Sequence, residues 1–428
     1  MLKIDDHPLR IKVANELHTR PFPIMEAPCT AAFIAFKQKG DAATRDTVQE
    51  FEHLVELLDR HGAPHPQPNA THYYGQIGNS WLKWEQHTEF VTYTVFNKGL
   101  DQHPFDKTIF ASFPSDWLAS TPGQRVTSVS LRIEKMNDRD QILQHVTDWF
   151  VPESLAASSV LDEAAVVATD FRIDPLGHQR FAVFLSSETG GRRLGRIVQR
   201  LCEIETYKAM SMLGFAHAQS IGGQLNNLDH QLTDLMKRMR NKGADAETTL
   251  QALLGIASEL ETISAQGSFR FGATGAYSAI VNQRIMAIRE ERFLGRQSFA
   301  EFMMRRYEPA MRTVQSTELR LEALSGRSIR ASNLLRTQVD VERSAQNQAL
   351  LTSMDHRSDQ QLQLQRTVEG LSVVAISYYA VSLVAYLVYP IGGIVGLSKE
   401  TMTALITLPV VALVWLVLRR IRRQTSKS

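Results

Sequence analysis

Two uncharged apolar runs close to the C-terminus constrain this chain more than any other feature. "LSVVAISYYAVSLVAYLVY" fills residues 371–389, and "TMTALITLPVVALVWLVL" fills residues 401–418. As helices rising about 1.5 Å per residue they span roughly 28 and 27 Å, close to the hydrocarbon thickness of a bilayer. Pro409 interrupts the second run; a membrane helix tolerates this because neighbouring groups satisfy the freed carbonyl. The intervening "YPIGGIVGLSKE" carries only Lys399, balanced by Glu400, and "RRIRRQTSK" follows the second run. The positive-inside rule then predicts a cytoplasmic C-terminal tail, and two spans return the chain to the side it started from. The rival reading is an apolar helical hairpin buried in a soluble protein.

The first run is striped. Ser372, Ala375, Tyr379, Ser382, Tyr386 and Tyr389 recur at spacings of 3, 4, 3, 4 and 3, which places small and hydroxylated side chains on one helical face. Lipid gives no reason for such a stripe. A partner helix does, either the second span or another subunit, because small residues allow close approach and hydroxyls bond across. A wet pathway at an oligomer axis is the alternative.

The rest of the chain is of ordinary soluble composition. Its 428 residues, 43% apolar and 21% charged, leave room for two or three domains with a sizeable core. A net charge of +2 gives no electrostatic case for a nucleic-acid partner. Cys29 and Cys202 stand in no metal-ligand spacing, which fits a reducing compartment. The charged start "MLKIDDHPLR" does not predict a cleaved secretory signal.

Residues 1–190 read as an α+β cytosolic domain. "CTAAFIAFKQKG" predicts a buried strand, and Val48, Phe51, Val55 and Leu58 form the apolar face of the next helix. "SWLKWEQHTEFVTYTVFNKG" predicts a strand hairpin with Val91, Tyr93 and Val95 on one face. Val129, Leu131 and Ile133 alternate with polar residues, and Pro175 and Gly177 suit the turn of a second hairpin. Residues 191–369 read as a helical, coiled-coil-like stalk, with "NKGAD" as a turn capped by Asp245 and a long polar helix over 328–369. Two transmembrane helices occupy 370–418, with a loop at 390–400, and 419–428 is a basic cytoplasmic tail.

No nucleophile elbow, phosphate loop, dinucleotide fingerprint or zinc-protease motif is present, so no catalytic set, metal site or cofactor is identified. Glu50 and His53 have carboxylate-bridged metal spacing but lack the second pair such sites need, and read as a solvated helix face. His61, His65 and His72 flank a proline-rich loop without a carboxylate or cysteine partner. Two sets are candidate binding residues. Arg10, Asn15, Glu16, His18 and Arg20 crowd the N-terminal arm before "RPFP", as salt bridges that tie the arm down or as a polar-ligand site. Arg192, Arg193, Arg196 and Arg200 open a helix, where positive charge opposes the macrodipole and calls for an acidic neighbour, a phosphate-bearing ligand or anionic headgroups.

The stretches "HPLR…NELHTRPFP", "GRRLGRIVQRLCEIETYKAM" and "LLRTQVDVERSAQNQALLTSMDHRSDQQLQLQRTVEGLSVVAISYYAV" resemble a bacterial family of unknown function whose members are described as membrane-anchored. The resemblance covers essentially the whole chain and implies a bacterial inner-membrane protein, with no activity attached. In plan alone, the chain also looks like CorA-type magnesium channels. Those carry Gly-Met-Asn after the first span, where this chain has "YPIGG", so magnesium selectivity does not transfer. The sequence therefore predicts a membrane-anchored protein acting as an oligomeric scaffold or regulator, with the bilayer and further copies of itself as partners. An oligomeric channel or transporter is the alternative, and an enzyme acting on a polar ligand near the N-terminal arm the third.

Overall fold

The computed structural model describes residues 5–11, 13, 23–40, 44–239, 246–395 and 398–425. The chain divides into two compact units, residues 1–244 with 251–332, and residues 245–250 with 333–428.

The first unit is built on a nine-stranded sheet. Its strands are β1 (Cys29–Lys37), β2 (His72–Ile77), β3 (Ser80–Gln86), β4 (Val91–Lys98), β5 (Gln124–Lys135), β6 (Ala156–Val160), β7 (Ala165–Thr169), β8 (Gln179–Leu185) and β9 (Glu291–Arg292). They lie in the order β2-β3-β4-β1-β5-β8-β7-β6-β9. β1 runs antiparallel to both neighbours, and β5 pairs in parallel with β8. The helices are α1 (Thr47–Arg60), α2 (Ser115–Ala119), α3 (Arg139–Trp149), α4 (Gly191–Met239), α5 (Ala246–Ala287), α6 (Phe299–Arg306), α7 (Glu308–Val395) and α8 (Lys399–Thr425). This is the expected mixed α+β body followed by long helices.

The period-2 geometry of strands loads both faces of the sheet. Ala31 and Phe33 of β1, Val129, Leu131 and Ile133 of β5, and Phe181 and Val183 of β8 face Leu194, Ile197 and Leu201 of α4. Ala32, Ile34 and Phe36 turn the other way, to Leu54, Leu57 and Leu58 of α1 and Trp117 of α2. On that same side Ala182 and Phe184 meet Ile142 and Val146 of α3. Each fully buried leucine here contributes about 1.5–3 kcal/mol. The turn expected around Pro175 forms: Gly177 N–H donates to Asp174 C=O at 2.9 Å, with Gly177 at φ 88°.

Helix α1 is rotated from the expected face. Asp46 caps it, accepting from Val48 N and Gln49 N at 3.0 Å each. Val48 is 62% exposed, whereas Glu50, His53, Leu54, Leu57 and Leu58 are buried. Glu50 and His53 are thus not a solvated pair. Arg45 pairs with Glu50, its Nε donating at 2.7 Å, and His53 stacks on Trp117 at 4.0 Å and contacts Tyr93 OH at 3.2 Å. Burial lowers the His53 pKa. Two overlapping faces were available at helical spacing, and specific partners for Glu50 and His53 select the more polar one.

Residues 23–26 lie against the start of α4. Met25 N–H donates to Gly191 C=O at 3.3 Å. A Cβ at Gly191 would meet Met25 O at 2.4 Å, and one at Gly195 would meet Pro23 O at 1.7 Å. The two glycines, four residues apart, open one face of the helix to the chain's own backbone.

Beyond the sheet, Leu225, Leu228 and Leu232 of α4, Leu253, Ile256 and Leu260 of α5, and Leu321 and Leu324 of α7 are each buried. Arg320 and Arg327 of α7 reach Asp229 of α4 at 3.3 and 3.0 Å, and Ser328 Oγ donates to Leu253 O at 3.4 Å. The "NKGAD" turn with Asp245 lies outside the described residues.

Helix α7 contains the helix expected over 328–369 and extends past it at both ends. It runs through Pro390 to Val395, and α8 begins at Lys399, so residues 390–395 and 399–400 of the expected 390–400 loop are helical. In the second unit, Tyr389 OH lies 3.3 Å from Thr403 Oγ1, and Lys399 Nζ sits 5.6 Å from the Tyr389 ring centre. Both helices are long and apolar enough to cross a membrane.

Gly195→Ala is expected to cost about 1–3 kcal/mol by overpacking and to lower the thermal midpoint of the full chain. Gly223→Ala, where a Cβ meets nothing within 4 Å, should instead gain about 0.5–1 kcal/mol. Equal midpoints for the two variants in a thermal melt would remove the close approach of the arm to α4.

Candidate functional site

Polar residues on the α4 side of β3 and β4 mark the site. In this register Lys83 opposes Thr94 and Glu85 opposes Thr92. All four face α4, while Leu82, Trp84, Tyr93 and Val95 pack on the other side of the sheet. A sheet face under a helix is normally apolar, because burying an unpaired charge costs several kcal/mol. Here the helix and the two strands line an open-mouthed cavity of about 260 Å³. Phe33, Phe90, Phe96 and Val198 supply its apolar wall, and Arg284 of α5 and Pro23 of the arm also line it.

The charges form a chain along the wall. Lys83 Nζ lies 3.1 Å from Glu85 Oε2 and donates to Gln199 Oε1 at 3.0 Å. Gln199 Nε2 donates to Glu203 Oε1 at 2.8 Å, and the other Glu203 oxygen accepts from Arg284 Nε. The Lys83 and Glu85 side chains are 8% and 12% exposed, so their pairing is scarcely screened by solvent. Beside the cavity, Glu89 accepts from Arg270 Nη2 at 2.5 Å and from Tyr277 OH at 2.8 Å, and Tyr277 stacks on Tyr207 at 5.5 Å. Burial, reinforced by Glu89, raises the Tyr277 pKa, so the phenol remains a donor. Burial likewise raises the pKa of the Cys202 thiol, which lines the cavity, and pushes that of Cys29 up to about 12. Neither is held as a thiolate, the form a nucleophile needs. The arrangement offers donors, acceptors and aromatic surface in one cavity.

The model of a family described as proteins of unknown function, DUF3422, matches residues 5–425. The chain belongs to this family. A search of the curated proteins found no match. In this DUF3422 protein the cavity is formed entirely within the first unit.

The residues singled out in the sequence are distributed as follows. Arg10 is exposed and paired with Asp6, while Asn15, Glu16, His18 and Arg20 lie outside the described residues. Arg193 donates to Leu161 O and to Asp162 at 3.4 Å, which supplies the acidic neighbour its position calls for. Arg200 Nη1 donates to Ala287 O at 2.7 Å, and Arg192 and Arg196 are exposed. His61, His65 and His72 do not converge: His61 contacts Ser112 O at 3.0 Å and His65 contacts Asp59 at 2.6 Å. Among the described residues no group of three or more His, Cys, Asp or Glu is placed to hold a metal.

In the stripe, Ser372, Ala375, Tyr379 and Tyr386 are exposed, and Ser382 and Tyr389 half-buried. The more buried face of the first span carries Val373, Ser377, Val381, Val384, Ala385 and Val388.

Lys83, Glu85, Glu203 and Arg284 were not legible as a set. The alternation Lys83-Glu85 against Thr92-Thr94 was visible, but a polar strand face ordinarily faces water, and only the tertiary placement of α4 covers it.

Glu89→Gln removes one charge of a buried pair and is expected to cost about 3–5 kcal/mol, because Arg270 is left uncompensated. Lys237→Ala, at an exposed pair, should leave stability unchanged. Urea unfolding followed by tryptophan fluorescence checks both; a Glu89→Gln midpoint equal to wild type would refute the buried-pair argument.

Proposed function

We propose that this DUF3422 protein is a membrane-anchored scaffold or regulator of the bacterial inner membrane. Its α+β body and basic tail lie on the cytoplasmic side, and it assembles with copies of itself. The observation that carries the reading is the outward-facing apolar surface of the terminal helices. Of the most apolar stretch in each, 11% and 6% is buried. A core helix of a soluble protein passes the same length and composition test but hides its surface, so exposure favours lipid as the surrounding medium. Sidedness rests on charge: Arg419, Arg420, Arg422 and Arg423 follow the second span, against Lys399 and Glu400 between the spans.

Self-assembly is supported by α7. Leu350, Leu351, Met354, Leu362, Leu364 and Val368 are 50–66% exposed on this helix. A matching helix from a second copy would bury them.

In cells, the full chain is expected to stay in the membrane pellet through alkaline carbonate, and a chain ending at residue 369 to leave it. A cysteine at Ser398 should react with an impermeant maleimide added outside intact spheroplasts, and one at Ser426 should not. Carbonate release of the full chain overturns the anchor, and the reverse labelling pattern overturns the sidedness. For assembly, Leu364→Cys is expected to give a disulfide-linked dimer in detergent, and a monomeric mass by light scattering would count against it.

A further inference from the structure

The cavity adjoins an arginine cluster that carries more positive charge than the carboxylates beside it among the described residues match. Arg196, Arg200 and Glu203 follow one another at four and three residues along one face of α4. Arg284 meets Glu203 from the last turn of α5, and Arg200 bonds the carbonyl of Ala287, three residues further on. Lys83 and Arg284 line the cavity, and Arg200 and Arg196 stand near Arg284 on the adjoining face of α4. Among the described residues the carboxylates that line the cavity are Glu85 and Glu203. Arg289 and Arg193 stand nearby, but both turn to Asp162, at 2.7 and 3.4 Å.

The cations also hold unspent donors. Arg284 uses Nε on Glu203, and among the described residues no bond is formed by its Nη1 or Nη2. Lys83 uses two directions of a three-donor ammonium. Arg200 uses one nitrogen, and Arg196 is exposed with no ion pair among the described residues. Burial lowers the Arg200 pKa, and the charges of Arg196 and Arg284 add to that effect, with Glu203 opposing. This is the signature of an arginine cluster short of negative charge.

We propose that the cavity binds a phosphate monoester, with its phosphate against Arg284, Arg200 and Arg196 and its organic part against Phe90, Phe96 and Tyr207. Within the cavity Glu85 and Glu203 balance Lys83 and Arg284, and the two further charges of the adjoining Arg200 and Arg196 match a group carrying about −1.5 to −2 at neutral pH. The planar donor edge of a guanidinium fits phosphate oxygens in pairs. The aromatic wall selects an ester over the bare ion, because the organic part removes apolar surface from water. The source can be a soluble phosphate ester or a phosphomonoester lipid headgroup presented at a membrane surface. The site depends on the first unit alone and stands or falls independently of the membrane anchor.

Calorimetric titration of the full chain in neutral detergent tests this, with phenyl phosphate, inorganic phosphate and vesicles containing phosphatidic acid as separate probes. Saturable binding of phenyl phosphate, tighter than inorganic phosphate, is expected. Arg284→Gln should weaken it about tenfold, the loss of one charge-assisted bond. Arg196→Gln, an exposed residue whose loss leaves the fold intact, should weaken it about threefold. Binding to the vesicles but not to phenyl phosphate, lost in the same variants, supports the site and assigns it to the lipid headgroup. Three results overturn it: no saturation with any probe, equal affinity for phenyl and inorganic phosphate, or affinities unchanged in both variants.

Discussion

The first unit depends on the double-sided burial of β1. Eight of its nine residues are buried, so it cannot present one face to water and must be covered twice. α1 and α2 provide one cover and α4 the other. The pairing of β1 with β4 on one edge and β5 on the other then fixes where every other strand of the sheet can lie. α4 must lie over β1, β5 and β8, where the large apolar side chains are, and this sets its path across the sheet.

The cavity follows from that path. Over β5 and β8 the sheet offers Leu131, Ile133, Phe181 and Val183, and α4 packs on them in one buried apolar cluster. Over β3 and β4 it offers Lys83, Glu85, Thr92 and Thr94. Side chains with charged ends cannot interdigitate with a helix as a leucine does, and each must keep a hydrogen-bonding partner. Gln199 provides one for Lys83 from α4 and is itself bonded to Glu203, and the space left beside this network is the cavity. Replacing such a network with apolar residues is often neutral or stabilising in other proteins, so stability alone gives little reason for it. A binding role does give a reason, since it needs charge held in place before the ligand arrives.

Strand alternation and long helical runs were readable because they rest on local periodicity. Val129, Leu131 and Ile133 lie where their spacing puts them, and α4 begins at Gly191 as composition suggested. The exceptions involve groups whose burial is licensed by distant partners. Glu50 is buried because Arg45 and Gln86 bond it, the latter 36 residues away, and His53 because Trp117 stacks on it from α2. Lys83 is buried because Gln199, 116 residues later, accepts from it. Arg45 apart, these partners lie 36 to 116 residues away, beyond any local window on the sequence. Pro390 misled in the opposite sense: it reads as a helix end, yet α7 continues to Val395. A proline ring costs a helix chiefly the carbonyl it leaves unpaired, and in an apolar terminal stretch that cost is met locally.

The polar middle of α7 poses the remaining physical question, because residues 340–368 are exposed throughout. Isolated helices in water are marginal, and the pairs found here, such as Gln338 with Glu342 at 3.0 Å and Gln365 with Glu369 at 3.3 Å, add only about 0.2–0.5 kcal/mol each. This segment does not have to nucleate, however. On its N-terminal side α7 is held by Leu321, Leu324 and Ser328 within the first unit, and on its C-terminal side it is an apolar helix whose backbone groups must bond internally wherever water is excluded. Between two ends already helical only propagation remains, and propagation is close to neutral for a sequence rich in Gln, Leu, Arg and Ala. Burial of Leu350, Met354, Leu364 and Val368 against a second copy would then add stability to a helix that its ends already specify, rather than be the condition for its formation.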